Sequence, residues 1–203
     1  MILVGMLDSP YVRRVAVSLK LMGLPFEHQA VSVFRHLDRF RAINPVVKAP
    51  TLVCDDGTVL MDSTLILDYL EHCVAPNNGL MPPGGAVRRE ALRLIGLAMA
   101  ANEKCVQIYY ERERPADKRH GPWVERITAQ ANDAFALLEA AAAKASPWLL
   151  GERITAADVA VACAWRFGQY YDAAEVAAAR YPALVAYSKR AEALPEFAST
   201  PLD

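Results

Sequence analysis

Apolar positions follow two different periods along this chain, and the change falls near residue 76. In the first part, short apolar runs alternate with stretches of helical spacing. Ile2 to Met6 is an apolar run of strand length. From Tyr11 to Met22 the residues Val12, Val15, Ala16, Leu19 and Met22 recur at helical spacing, with Gly23 placed to end the helix and Pro25 just beyond. Phe26 to Val31 predicts a second strand, and His36 to Ile43 a short helix on Leu37, Phe40 and Ile43. Thr51–Cys54 and Thr58–Met61 flank Asp55-Asp56-Gly57, which predicts a hairpin. Ser63 then caps a helix whose inner face is Leu65, Ile66, Tyr69, Leu70 and Cys73.

The predicted order is β-α-β-α-β-β-α. A strand–helix–strand unit gives parallel strands through a right-handed crossover, and the hairpin adds antiparallel ones. The fold class expected for residues 1–77 is therefore a thioredoxin-like α/β sheet. Residues 78–85 read as a linker, rich in Pro, Gly and Asn. From residue 86 to 203 strand signals vanish and alanine rises, which predicts an all-α second domain. Ala86 to Arg112 and Trp123 to Lys144 are its long helical stretches. Ile154-Thr155-Ala-Ala-Asp158-Val159 predicts a helix start in which Thr155 caps, Asp158 reaches back and Ile154 touches Val159. That motif belongs to folding rather than chemistry. Tyr181-Pro182 opens a last helix that ends near Leu194-Pro195.

Composition narrows the function classes. With 54% hydrophobic residues among 203, the chain can bury a real core. The 22 Lys+Arg nearly balance the 23 Asp+Glu, which leaves no electrostatic footprint for nucleic acid or an anionic membrane. The basic run from Arg112 to His120 is diluted by Glu113 and Asp117 and reads as a solvated loop. No targeting segment is visible, and no apolar stretch reaches the ~18 residues that span a bilayer. Cysteines 54, 73, 105 and 163 lie far apart and fit a reduced, cytoplasmic protein. The four scattered histidines give no metal-ligand spacing, so no metal is expected.

Three stretches carry the candidate chemistry: Ser9-Pro10-Tyr11, Asn44-Pro-Val-Val-Lys48-Ala49-Pro50, and Asp62-Ser63. Ser before Pro is an ordinary helix N-cap. A helix N-terminus also offers amide N–H groups and a positive dipole end to an anion. A hydroxyl there can donate to a thiolate. A free thiol of pKa about 8.5 is a few per cent ionised at pH 7. Lowering that pKa by two units takes about 2.7 kcal/mol and raises the ionised fraction about twentyfold. One charge-assisted hydrogen bond of ~1.5–3 kcal/mol, with the helix end, can supply this. Tyr11 carries a rival hydroxyl.

In order and spacing, the Ser-Pro-Tyr-Val-Arg opening, the Asn-Pro…Lys-x-Pro segment, the Asp-Ser pair and the capped helix resemble the cytosolic glutathione S-transferase family, in its bacterial, serine-type form. The resemblance covers essentially the whole chain. It implies a cis bond before Pro50, with the backbone of Ala49 pairing with glutathione and Lys48 near its glycine carboxylate. It implies that Ser63 holds the γ-glutamyl carboxylate and Asp62 offsets the ammonium. Ser9 would stabilise the thiolate of glutathione, a co-substrate, for attack on an apolar electrophile. Tyr11, Tyr109, Tyr110 and Arg114 are candidates to line the pocket of that second substrate, in a cleft between domains. The family forms homodimers, and the same is implied here. A glutathione-dependent isomerase or dehalogenase on this scaffold, and a non-catalytic interaction or ligand-carrier module, are the alternatives. Val47 departs from the glycine that related sequences often carry, which puts the loop beside Lys48 in question.

Overall fold

The structure, a computed structural model, describes residues 1–202. Residues 1–80 form one compact unit with the chain from Leu194 onward, and residues 81–193 form another.

The first unit runs β1 (Ile2–Val4), α1 (Pro10–Leu21), β2 (Glu27–Gln29), α2 (Leu37–Ile43), β3 (Thr51–Val53), β4 (Val59–Met61) and α3 (Ser63–His72). The sheet order is β2-β1-β3-β4. β1 pairs parallel to β2 and antiparallel to β3, and β3 pairs antiparallel to β4. This is the predicted α/β arrangement. Alternation along β1 and β3 sorts their side chains to two faces. Val4 joins Val31 and Phe40 in a cluster ringed by Ile43, Val47, Ala49 and Val53. Leu3 and Leu52, opposite each other in register and fully buried, serve the other face.

Local signals set the ends of these elements. Gly23, at φ 70°, closes α1: its N–H donates to Lys20 O at 3.0 Å and Leu24 N–H donates to Leu19 O at 2.9 Å. Gly57, at φ 85°, turns the hairpin between β3 and β4.

One contact of this unit was not legible. Arg13, buried in α1, donates from Nε to Thr200 O at 2.8 Å and from Nη2 to Phe197 O at 3.4 Å. It also stacks on the Phe197 ring, 5.6 Å from the centroid. Where the sequence predicts that helix ends near Pro195, a further short helix, α8 (Pro195–Ala198), begins. Pro195 suits its first turn, and Arg13 fastens the end of this helix to α1.

The second unit is helical: α4 (Gly85–Glu113), α5 (Gly121–Ala142), α6 (Ala156–Tyr171) and α7 (Pro182–Glu192). α6 is buried along most of its length. At its start, Asp158 Oδ2 accepts from the Thr155 N–H and hydroxyl, both at 2.7 Å. Its Oδ1 accepts from Leu149 N–H at 2.8 Å and Tyr187 Oη at 2.6 Å. The predicted cap thus also ties α6 to α7 and to the preceding loop. Among the described residues, no helix is long and apolar enough to cross a membrane.

Candidate functional site

Ser9 sits at the N-cap of α1 with extended backbone, φ −70° and ψ 122°. Its Oγ accepts from Val12 N–H at a long 3.4 Å. Accepting leaves the hydroxyl proton unspent, so Ser9 can still donate. Tyr11 follows on the first turn, half-buried.

The turn before Ser9 depends on Gly5, a residue that sequence reading passed over. Gly5 ends β1 at φ 142°. Its carbonyl accepts from His28 Nε2 at 2.8 Å. A Cβ at Gly5 would stand 2.6 Å from Val12 Cγ2 and 3.2 Å from Ala49 Cβ. The missing side chain is therefore what lets the Ser9 helix end and the Ala49 segment close on each other. Gly5→Ala is expected to cost about 2–4 kcal/mol, from overpacking and from an L side chain at this φ. Urea unfolding measures it.

The Ala49–Pro50 peptide is cis. Asn44, buried, ties down the segment before it. Its Nδ2 donates to Thr51 Oγ1 at 2.8 Å and its Oδ1 accepts from Val46 N–H at 3.0 Å. Thr51 Oγ1 donates in turn to Lys48 O at 2.8 Å. The hydroxyl and amide thus hold the loop from both sides. Lys48 is exposed, and its ammonium makes no ion pair among the described residues. Val47 takes φ 54°. That costs a β-branched residue about 1–2 kcal/mol. Its side chain packs on the Val4–Val31–Phe40 cluster, which returns about 1 kcal/mol for a half-buried valine. The near balance explains how this loop keeps its shape without glycine.

At α3 the cap differs from expectation. Asp62 is the N-cap, at φ 70°, and its Oδ1 accepts from Thr64 N–H at 2.9 Å. Ser63 is the first helical residue and is 4% exposed. With the capping bond made by Asp62, the Ser63 hydroxyl is released to other partners. Arg14, buried beneath, donates from Nη1 to Ser63 Oγ and Thr64 Oγ1, each at 3.4 Å. A guanidinium under a helix N-terminus makes this corner favourable to a carboxylate. Arg14 lies on α1 five positions after Ser9, and no local pattern signals its contact with Ser63.

The glutathione S-transferase N-terminal domain matches residues 3–78, and the glutathione S-transferase C-terminal domain matches residues 121–190. The chain belongs to the glutathione S-transferase family. It is similar to a glutathione S-transferase from Methylobacterium radiotolerans crystallised with glutathione sulfonate, at 28% identity and TM-score 0.90 over 98% of this chain and 93% of that one. A glutathione transferase family member from Pseudomonas fluorescens with bound S-(propanoic acid)-glutathione is 29% identical, with TM-score 0.82 over 98% of each chain. A probable maleylacetoacetate isomerase from Vibrio cholerae is 27% identical over 98% of this chain and 94% of its own length. The chain matches 35% and 54% of the length of the Arabidopsis thaliana glutathione S-transferases U4 and U6.

The other candidate residues of this glutathione S-transferase family member lie in the second unit. Tyr109 and Tyr110 stand on the last turns of α4, with ring centroids 5.6 Å apart. Tyr109 also meets Tyr171 edge-on at 5.1 Å. Arg114 caps α4 and donates from Nη1 to Glu111 Oε1 at 2.6 Å. That bond holds the Glu111 carboxyl below its ordinary range. No group of three or more His, Cys, Asp or Glu is placed to hold a metal among the described residues.

Proposed function

We propose that this protein is a serine-type glutathione transferase, in which the first unit binds reduced glutathione and keeps its sulfur ionised for attack on an apolar electrophile. The observation that carries this reading is the convergence on Gly5. Ser9, with a hydroxyl proton to donate, is brought toward the segment that ends in the cis bond before Pro50. The glutathione derivatives bound by the Methylobacterium and Pseudomonas relatives support the ligand.

In this reading each residue has one task. The backbone of Ala49, beside Pro50, pairs with the cysteinyl part of glutathione as a short added strand. Lys48 meets the glycine carboxylate. Ser63, backed by Arg14, holds the γ-glutamyl carboxylate, and Asp62 offsets the ammonium. Ser9 donates to the sulfur and the amide groups of α1 add their dipole. The electrophilic carbon then bonds to sulfur and its leaving group departs. Tyr11, on the first turn of α1, contacts this second substrate. We also read the protein as a homodimer, supported by apolar side chains left exposed on β4 and α3: Val59 at 41%, Met61 at 37% and Leu65 at 65%.

Titration with glutathione is expected to give binding by calorimetry and thiolate ultraviolet absorbance near neutral pH. Absence of binding at millimolar glutathione would favour a non-catalytic module. The similarity to a probable maleylacetoacetate isomerase along nearly the whole chain favours a second reading, reversible addition of the same thiolate to an unsaturated acid. A panel of electrophiles separates the two. Conjugation consumes glutathione, whereas isomerisation returns it.

A further inference from the structure

At the far end of the sheet from this cradle, two thiols and a phenol meet. Cys54 follows the last residue of β3, and Cys73 is the C-cap of α3. Tyr69 precedes Cys73 by one turn, and its side chain stands beside both thiols. All three line an open cleft of about 800 Å³ that also includes Met1, Phe26 and Asp55. Ser63 begins α3 and Cys73 caps its end, so this ten-residue helix separates the two sites by about 15 Å.

We propose that Cys54 and Cys73 form a dithiol site that exchanges with small disulfides, such as oxidised glutathione, and closes into an intramolecular disulfide. The exposures of the two thiols assign their order. Cys73 is exposed, whereas Cys54 is 8% exposed. Burial pushes the Cys54 thiol up, so Cys73 attacks first. Its thiolate bonds to one sulfur of the small disulfide. The S–S bond breaks, and one thiol leaves carrying the electron pair and takes a proton from water. Cys54 then loses its proton and attacks the Cys73 sulfur, expelling the second thiol. Two protein thiols are oxidised and one small disulfide is reduced to two thiols.

Distance permits the closure. Both thiols border the same phenol and open on the same cleft. A disulfide needs about 2 Å. Cys73 sits where helical bonding stops: its N–H donates to Leu70 O at 3.0 Å and its Sγ to Tyr69 O at 3.4 Å. These two bonds give way when the helix end swings toward Cys54. Once glutathione is attached to Cys73, Cys54 competes as a tethered neighbour, whose effective concentration far exceeds millimolar thiol. Tyr69 stays neutral throughout, because Cys73 and Cys54 beside it push its own ionisation up to about 12. It can therefore donate to the sulfur that carries charge at each step.

The test incubates the whole chain with glutathione disulfide at pH 8 without oxygen, followed by denaturing alkylation and mass spectrometry. The expected product has lost two thiols, retains no glutathione and yields a peptide cross-linked from Cys54 to Cys73. Cys105 and Cys163, both buried, alkylate normally after denaturation. In Cys54→Ser the reaction stops at a stable mixed disulfide on Cys73. A wild-type chain that keeps glutathione on Cys73, that links to a second chain, or that alkylates at all four cysteines overturns the proposal.

Discussion

Asp158→Ala is expected to lower the unfolding free energy by about 3–5 kcal/mol, the range for breaking one side of a buried, hydrogen-bonded charge network. Asp158 is fully buried and accepts four hydrogen bonds. Alanine removes them all. It leaves the Leu149 and Thr155 amides and the Tyr187 hydroxyl without this acceptor, and each buried orphan costs about 1–3 kcal/mol. A stability of 5–15 kcal/mol is typical of a whole domain, so the loss is a large share. Asp158→Asn keeps the shape but turns one acceptor into a donor, and falls between wild type and alanine. Urea unfolding followed by tryptophan fluorescence measures the effect. A midpoint unchanged in Asp158→Ala would mean that the network is worth no more than the water it displaced.

Replacing Ser9 with alanine is expected to reduce kcat/KM for glutathione conjugation by about 10- to 100-fold, the worth of one charge-assisted hydrogen bond. The loss should fall on kcat, because in the proposed function Lys48, Ala49 and Ser63 still hold the peptide, while Ser9 acts on the sulfur. The pH–rate profile should move toward alkaline pH by one to two units, since the bound thiol loses the group that favours its anion. The alanine variant also loses an N-cap. Because that bond is 3.4 Å long, the cost in stability is at the low end of about 0.5–2 kcal/mol. Ser9→Thr keeps a hydroxyl and should restore much of the rate. A profile left in place by Ser9→Ala would pass the role to Tyr11 or to backbone amides.

Both variants act on a local motif. The Asp158 bonds to Thr155 lie within three residues, and the Ser9 cap bond likewise joins positions three apart. Neighbouring residues meet whatever the rest of the chain does, so these appear as motifs. Gly23 and Gly57 are legible for the same reason, each supplying a positive φ to its own turn. At α3 the sequence reading assigns the cap to Ser63, whereas the structure gives it to Asp62. The contacts that gather the site are of another kind. Arg14 meets Ser63 across 49 positions, and Arg13 meets Thr200 across 187. Gly5 matters through Val12 and Ala49 rather than through its own turn alone.

The sequence by itself determined the element order, the helix caps nearest Ser9 and Asp158, and the ordered motifs that resemble glutathione S-transferases. Tertiary structure alone decided that a side-chain-free Gly5 draws Ala49 and Val12 together, and that Arg14 sits under Ser63. Hydrogen bonds within one helical turn are dictated by adjacent residues. Contacts between distant residues form only when the sheet and helices have packed, because only packing compensates the entropy of closing such long loops.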